Sequence, residues 1–365
     1  MKCRHCWSLA IPPVVRCGNR LSHDNSQTFP LLLSSWFSRG VNDKEQTENL
    51  IQRRGYNWRQ GTAAPSMDLT RVFGTAHPVI GVVHLLPLPT SPRWGGSLAA
   101  VIERAEQEAS ALATGGVDGI IIENFFDAPF TQHQVDPAVV SAMSLIAQRV
   151  RALVDVPLGI NVLRNDAISA LAIAHNVGAA FIRVNVLTGV MATDQGLIEG
   201  CAHRLLRYRR ELDSEVKIFA DVLVKHARPL GTPNLTTAVQ ETIQRGLADG
   251  IILSGWATGH PPTREDLELA RAAAGHVPVL VGSGANADNV AHLLTAADGV
   301  IVASALKRKG QIEQPIDPQR VSHFVQAVRR ALEPEVADLR PGHHTNPYPN
   351  ETPTHSYEQI TQPSP

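Results

Sequence analysis

The sequence lacks an excess of charge of either sign, and it lacks any long apolar run. Its 33 basic and 34 acidic side chains give a formal net charge of −1. Proteins that bind nucleic acid as their main activity carry a basic surface, so this composition disfavours nucleic acid as a partner. The longest apolar stretches are strand-sized, well below the roughly 20 residues that cross a bilayer. We therefore expect any contact with a membrane to be peripheral.

Cysteine is also scarce. Cys3, Cys6 and Cys17 lie near the amino terminus, and Cys201 stands alone in the rest of the chain. This distribution excludes a disulfide scaffold and fits a reducing compartment such as the cytoplasm. The three early cysteines with His5 resemble part of a zinc site, but a second pair at zinc-finger spacing is missing. We predict no metal site.

Residues 1–66 differ in composition from the rest of the chain. No apolar periodicity persists there, and polar clusters such as residues 42–49 interrupt it. We interpret the segment as a poorly structured extension. An export signal is disfavoured because Pro12 and Pro13 break the apolar stretch and no small-residue cleavage site follows cleanly. Met67 offers a simpler explanation, in which translation starts there.

Residues 67–332 carry the pattern of one folded domain, and residues 333–365, rich in Pro, His, Thr and Asn, are predicted to be a disordered tail. Eight short apolar runs alternate with helical patterns in the domain. These runs are residues 79–84, 119–123, 158–162, 180–185, 217–222, 250–254, 279–282 and 299–304. Such runs are typical of strands buried on both faces of a parallel sheet. Eight strand–helix units in about 265 residues predict a single α/β domain, a (β/α)8 TIM barrel.

A weak internal repeat supports this count. An Asp-Gly pair introduces the second, sixth and eighth runs, and a proline precedes three odd-numbered ones. The positions are Asp118-Gly119, Asp249-Gly250 and Asp298-Gly299, with Pro78, Pro157 and Pro278. A two-strand alternation is expected in a barrel because odd and even strands fill different layers of its core.

Helix boundaries are predicted at three places. Ser97 is suited to cap a helix that ends at Gly115. Asp317 and Pro318 are typical of the start of the last helix. A further helix is expected to begin near Asp288, directly after the seventh strand.

Many polar residues follow the strands. In this architecture the functional face is the ring of loops at the carboxyl ends of the strands. The residues found there are His84, Glu123, Asn124, Asn161, Arg164, Arg183, Asn185, Asp221, Lys225, His226 and Ser254. Burying so many polar groups at one rim is costly unless they pair with one another or with a ligand. The set predicts a ligand site at the mouth of the barrel.

The ionisable members are the catalytic candidates. Asp221, Lys225 and His226 follow the fifth strand, where a general base or a Schiff-base lysine suits barrel chemistry. Glu123 is the opposing carboxylate, and His84 is a further candidate. His84, Glu123, Asp221 and His226 could instead gather a divalent metal. Nothing in their spacing identifies a reaction.

Two arginines and two amides are candidates for holding the ligand. Arg183 and Arg164 can clamp a carboxylate or phosphate with two parallel hydrogen bonds. Asn161 and Asn185 lie at the same strand ends and can bind a ligand's polar groups.

The loops after the last three strands predict a phosphate site. Glycines after strand seven allow backbone N–H groups to converge on an anion, and the helix expected near Asp288 would add partial positive charge. The basic residues 307–309 follow strand eight. We assign the anion site to Gly282, Ser283, Gly284, Ser304 and Gly255. Trp256 is a weaker candidate for a lid. In the alternative interpretation, the glycines form a tight turn and the basic run is a solvated surface.

Several motifs in this order resemble those of one known family. They comprise residues 84–89 (HLLPLP), 116–124 (GVDGIIIEN), 127–130 (DAPF), 161–166 (NVLRND), 181–185 (FIRVN), 255–259 (GWATG) and 282–286 (GSGAN). On these motifs the chain resembles the BtpA family from about residue 78 to residue 330. The resemblance does not extend to the first 66 residues or to the tail.

This resemblance implies a phosphate-binding barrel and two kinds of function. Cyanobacterial members are described as photosystem I biogenesis proteins, peripheral at the cytoplasmic face of the thylakoid, so photosystem I assembly components are the implied partners. Other members, similar to SgcQ, imply an enzyme acting on a phosphorylated sugar or nucleoside, and a tetrapyrrole-related compound is a further option. No catalytic residues and no cofactor carry over from the family. We expect a phosphate-bearing ligand and a homo-oligomer.

Overall fold

The computed structural model describes residues 67–231, 234–255 and 259–333. The predicted extension over residues 1–66, the tail from residue 334 and the predicted lid residue Trp256 lie outside these residues.

The strands of the described residues are β1 Val79–His84, β2 Gly119–Glu123, β3 Leu158–Asn161, β4 Phe181–Val184, β5 Val190–Thr193, β6 Gly196–Glu199, β7 Lys217–Val222, β8 Ala227–Pro229, β9 Gly250–Leu253, β10 Val279–Val281 and β11 Gly299–Val302. Eight of them close into a parallel barrel, in the order β1-β11-β10-β9-β7-β4-β3-β2. The predicted (β/α)8 barrel is confirmed. Three predicted runs match their strands to the residue, and the others are one or two residues too long at an end.

The helices lie between the strands. They are α1 Leu69–Phe73, α2 Leu98–Thr114, α3 Pro137–Leu153, α4 Ala167–Val177, α5 Ala202–Glu211, α6 Leu235–Gln240, α7 Arg264–Ala274, α8 Val290–Leu293 and α9 Pro318–Leu332. A π-helical turn, Glu241–Arg245, continues α6, and short 3₁₀ turns follow β2 and β11. None of the helices in the described ranges is long and apolar enough to cross a membrane.

Two helix starts agree with the sequence and a third does not. Ser97 Oγ accepts a hydrogen bond from the N–H of Ala100, and Asp317 caps α9. The helix expected near Asp288 begins only at Val290 and is a single turn. Residues 286–289 form a turn in its place, in which Asn286 Oδ1 accepts hydrogen bonds from the N–H groups of Asp288 and Asn289.

Two apolar layers form the core. The larger one lies between the strands and the helices and includes the inward stripe of α9, from Val321 to Val328. The smaller one fills the barrel with side chains from alternate strand positions. Its strand members are Ile80, Val82, Ile121, Phe181, Phe219, Ile252, Leu280 and Ile301. Successive side chains of a strand point to opposite faces of the sheet. One face packs against the helices and the other fills the barrel, so both faces are apolar.

Helix α1 closes the amino-terminal end of the barrel. Leu69 and Phe73 are buried in the interior layer. The Phe73 ring contacts Phe181 edge-on at a centroid distance of 5.5 Å and lies 6.3 Å from Phe219. Gly119 leaves the space for it, because a Cβ there would lie 2.8 Å from the Phe73 ring.

The Asp-Gly repeat has a structural explanation at this same end. The Asp249 carboxylate accepts the N–H of Ile218 at 2.8 Å and Nη1 of Arg209 at 2.7 Å. The equivalent contacts are Asp118 with Val79 and Arg329, and Asp298 with Val279 and Arg271. Each aspartate thus ties the start of the preceding barrel strand to a surrounding helix.

A small antiparallel sheet, which the sequence analysis missed, lies outside the barrel. Strands β6, β5 and β8 pair in that order, with Met191 opposite Ile198 and Pro229. Val186 and Val224 complete its buried face. The sheet is built from the loops after β4 and β7, so it lies at the carboxyl-terminal end of the barrel.

The Phe73 contacts lead to a stability prediction. Phe73→Ala should lower the free energy of unfolding by about 3–5 kcal/mol, because it removes a ring from a closely packed interior. Urea denaturation measures this change. Arg71→Ala in the same helix is the control, since its exposed side chain makes only a surface ion pair with Asp68, worth at most about 1 kcal/mol.

Deleting residues 1–66 retains this helix, so we expect the melting temperature to stay nearly unchanged. A large drop on deletion would show that the domain boundary is wrong.

For the Phe73 experiment, a loss of unfolding free energy in Phe73→Ala no greater than that in Arg71→Ala would show that the barrel does not depend on the Phe73 ring.

Candidate functional site

The mouth of the barrel encloses a cavity of about 340 Å³ at the carboxyl ends of the strands. Most of the predicted site residues line it. They are His84, Glu123, Arg164, Arg183, Asn185, Lys225, His226, Gly282, Ser283 and Ser304. Six others do not line this cavity: Asp221, Asn161, Asn124, Ser254, Gly284 and Gly255.

Asp221 holds Arg183 in place. Nε and Nη2 of Arg183 donate to the two carboxylate oxygens of Asp221 at 2.9 and 2.8 Å, and Asn185 Nδ2 donates to the same carboxylate at 3.1 Å. Burial opposes the charge on Arg183, but the Asp221 carboxylate outweighs it and the pKa of Arg183 is raised. Asp221, predicted as a catalytic candidate, is the partner of Arg183 and does not itself line the cavity.

His84, Glu123 and Asn161 are neighbours on β1, β2 and β3. Asn161 Nδ2 donates to Glu123 Oε2 at 2.5 Å, and His84 Nε2 lies 3.7 Å from Glu123 Oε1. The His84 ring stacks on Phe125 at 4.3 Å. Burial first, and then nearby positive charges, lower the pKa of His84 well below 6.5. The lowered pKa favours the neutral form of the His84 ring. Asn161 contacts Glu123 and does not itself line the cavity.

Lys225 and His226 reach the cavity from the loop after β7, and Arg164 reaches it from the loop after β3. Arg164 Nη2 donates to the carbonyl oxygen of Lys225 at 2.8 Å. Burial, followed by the charge of Arg183, lowers the pKa of Lys225. Burial and the charge of Lys225 likewise lower the pKa of His226.

Three buried polar atoms near the mouth lack a hydrogen-bond partner among the described residues. They are His84 Nδ1, Asn185 Oδ1 and Ser254 Oγ. Leaving such an atom unpaired costs about 1–3 kcal/mol, so sites of this kind usually receive water or a ligand. Gly282 lets the side chains of Ser254 and Arg183 lie close to its backbone, because a Cβ there would lie 2.6 Å from Ser254 Oγ and 3.4 Å from Arg183 Nη2.

Gly284 and Gly255 lie close to the backbone of residues 260 and 261. A Cβ on Gly284, whose φ is +80°, would lie 2.1 Å from the Pro261 nitrogen, and a Cβ on Gly255 would lie 2.3 Å from the His260 carbonyl oxygen. Ser283 Oγ donates to that same carbonyl at 3.1 Å. Gly284 therefore lets the loop after β10 pack against the loop after β9, whereas Gly255 makes room within the loop after β9. Of the five residues predicted for the anion site, Gly282, Ser283 and Ser304 line the cavity.

Lys307 is neither an anion ligand nor part of a solvated surface. It is fully buried, and its Nζ donates to both carboxylate oxygens of Glu108 on α2, at 2.8 and 2.7 Å. Arg104 Nε donates to the same carboxylate at 2.6 Å. Only Arg308 and Lys309 of the basic run are exposed.

Asn124 and Asp127 connect the first three loops of the mouth. Asn124 Oδ1 accepts the N–H of Leu163 at 2.7 Å, and its Nδ2 donates to Asp127 at 2.9 Å. Asp127 also accepts the N–H of Leu88 at 2.7 Å. Burial raises the pKa of Asp127. Asn124 and Asp127 support the loops of the mouth, but neither residue lines the mouth cavity.

Sequence reasoning missed several residues that line the cavity. Phe125, Phe126 and Phe130 form an aromatic wall beside His84. Two of these rings could have been predicted from the sequence, since Phe125 and Phe126 directly follow the polar end of β2. Asp194 lines the cavity from the turn between β5 and β6. Because this hairpin was not predicted, nothing in the sequence pointed to Asp194 as a site residue. Arg93 and Glu313 complete the missed charged residues.

The four residues considered as metal ligands do not form a metal site. Within the described ranges, no three His, Cys, Asp or Glu side chains are grouped so that they could hold a metal ion. Of those four, Asp221 is bound by Arg183, and Glu123 accepts from Asn161.

Comparison with known proteins gives a family match and close relatives. The profile of the BtpA family matches residues 75–330. The photosystem I biogenesis protein BtpA of Synechocystis sp. is 74% identical over 266 residues, which cover 73% of this chain and 93% of that protein. An uncharacterised protein of Pyrococcus furiosus is 49% identical over 248 residues, covering 68% of this chain and 93% of that protein.

Among solved structures, a thiamine phosphate pyrophosphorylase from Pyrococcus furiosus is similar at 15% identity and a TM-score of 0.45, covering 70% of this chain and 98% of that one.

The buried, neutral state of His84 gives a pH prediction. The unfolded chain binds a proton near pH 6.5 that folded His84 does not bind until a lower pH. The free energy of unfolding should therefore fall as the pH drops below about 6.5, by up to about 1.4 kcal/mol per pH unit from this residue. His84→Gln removes that contribution. Urea denaturation of both proteins between about pH 5 and 7.5 measures the difference, and equal slopes would contradict it.

Proposed function

The chain belongs to the BtpA family, and from that premise we propose that it supports the biogenesis of photosystem I. The observation that carries this proposal is the 74% identity over 93% of the length of the Synechocystis photosystem I biogenesis protein. About three in four aligned residues are the same in the two proteins. A shared role is the simplest consequence.

The proposal includes a location and partners. Photosystem I lies in the thylakoid membrane, so we place the protein in peripheral contact with the cytoplasmic face of that membrane, together with photosystem I assembly components. Homo-oligomerisation stays a prediction.

Complementation tests this function. In a Synechocystis strain that lacks its own BtpA, the full chain should restore photosystem I to the level of the parent strain. The amplitude of light-driven oxidation of the photosystem I primary donor, per chlorophyll, measures the amount. An unchanged amplitude, in cells that accumulate the protein, would contradict the proposal.

Variants in the same strain connect this function to the cavity. Arg164→Met removes a cation from the mouth, whereas Arg71→Ala changes an exposed residue of α1 at the opposite end of the barrel. If photosystem I accumulation depends on a ligand at the mouth, Arg71→Ala complements fully and Arg164→Met does not. Equal complementation by both would show that the cavity is not needed for this function.

A second function is an enzyme acting on a phosphorylated small molecule at the barrel mouth. The cavity favours it, since Arg164, Arg183 and Lys225 surround a space with room for a ligand. The two functions are compatible, because an enzyme can supply a compound that assembly of the complex requires.

Thermal unfolding with a panel of phosphorylated sugars, nucleotides and tetrapyrrole precursors tests the second function. A ligand at 100 times its Kd should stabilise the protein by about 2.7 kcal/mol. Unphosphorylated analogues should stabilise it less, and Arg164→Met should weaken the response while Arg71→Ala does not. No stabilisation by any phosphorylated compound would contradict the proposal.

A further inference from the structure

Lys225 differs from the other lysines that the structure describes. Lys307 is paired with Glu108, Lys309 is exposed, and Lys217 lies at the amino-terminal start of β7. Lys225 alone of these lines the mouth cavity. Within the described ranges its Nζ makes no hydrogen bond or ion pair, only longer-range charge interactions.

The two carboxylates whose charges act on Lys225, Asp221 and Glu123, already have other partners. Asp221 is bound by Arg183 and Asn185, and Glu123 accepts from Asn161. Burial is the main cause of the lowered pKa of Lys225. The charge of Arg183 adds to it, Glu123 and Asp221 oppose it, and Arg164 lowers it slightly further. A lysine that is desolvated beside other cations has more of the neutral amine, which is the nucleophilic form.

The walls of the cavity suggest what the amine would meet. Gly282, Ser283 and Ser304 form a small polar wall, and Phe125 and Phe126 form an apolar one. A polar group of a ligand can lie against the first wall and its carbon skeleton against the second. The volume of about 340 Å³ is at the lower end of the range for small-molecule sites.

We propose that Lys225 is a catalytic nucleophile that forms a Schiff base with the carbonyl group of a phosphorylated aldehyde or ketone bound in this cavity. The proposal rests on the second function above, since it requires a phosphorylated ligand at the mouth. It adds the substrate class, a carbonyl compound, and the atom that attacks it.

The reaction needs no oxidant or reductant. The lone pair of Lys225 Nζ forms a bond to the carbonyl carbon while the carbonyl π electrons move to oxygen. That oxygen takes a proton from nitrogen, which gives a carbinolamine. A second proton, from solvent, lets the oxygen leave as water when the nitrogen lone pair forms the C=N bond. Amine, carbonyl and one proton thus give a protonated imine and one water, and hydrolysis reverses the sequence.

Borohydride trapping on the full chain tests the proposal. Pyridoxal 5′-phosphate and glyceraldehyde 3-phosphate are the probes, and sodium borohydride reduces any imine to a stable amine. Mass spectrometry should find one adduct per chain, at Lys225, and excess inorganic phosphate should reduce its yield. Pyridoxal without phosphate should give less of it.

Two conservative variants make the test specific. Lys225→Arg keeps the positive charge and should lose the adduct, with a melting temperature that shows it is folded. Lys309→Arg, at an exposed lysine, should keep it. Loss of the adduct only in Lys225→Arg supports the proposal, and equal labelling of both variants overturns it.

Glycerol 3-phosphate, which has no carbonyl group, separates the two proposals. If it stabilises the protein but neither carbonyl probe labels Lys225, the Schiff base is overturned and the phosphate site stands. If neither probe labels Lys225 and no phosphorylated compound of the panel, glycerol 3-phosphate included, stabilises the protein, the phosphorylated ligand is overturned as well. Complementation of photosystem I accumulation is independent of either result.

Discussion

The ion pair between Arg183 and Asp221 organises the mouth of the barrel. It joins β4 to β7, which are neighbours in the barrel although a hairpin and a helix separate them in the chain. Desolvation offsets much of the attraction in a buried pair, so its net contribution to stability is small. Its effect is on arrangement. It directs the Asp221 carboxylate toward Arg183, recruits Asn185 as a further donor, and leaves Lys225 in the cavity without a carboxylate partner.

The two ends of the barrel are built from different chemistry. At the amino-terminal end, Phe73 fills the interior, and Asp118, Asp249 and Asp298 satisfy backbone N–H groups at the starts of strands. Of the buried side-chain atoms that lack a hydrogen-bond partner among the described residues, His77 Nδ1 lies just before β1, at this end. At the opposite end, buried side-chain atoms of His84, Asn185 and Ser254 have no partner among the described residues. This division matches the general behaviour of such barrels, in which one face supports the fold and the other carries the function.

Much of the barrel could be predicted from sequence because its signals are local. Two-sided apolar runs identified the eight strands, and strand ends identified six of the nine ionisable residues that line the cavity. The features that escaped prediction depend on contacts between distant parts of the chain. The sheet formed by β5, β6 and β8 has short strands of mixed exposure, so its tip residue Asp194 was missed. Lys307 was assigned with its basic neighbours because nothing nearby in the sequence points to Glu108. The close approach at Gly284 could not be predicted, since the backbone that it accommodates, at Pro261, belongs to another loop.

Closure of the barrel brings together the first and last parts of the domain. β1 pairs with β11, and Lys307, just beyond β11, neutralises Glu108, which lies 199 positions earlier. During translation Glu108 leaves the ribosome long before Lys307 is made. Until then Arg104, one turn earlier on the same helix, is the partner available to this carboxylate. The order of synthesis therefore makes the last strand–helix unit the step that completes co-translational folding, and a chain released before it lacks the buried lysine that Glu108 contacts in the folded barrel.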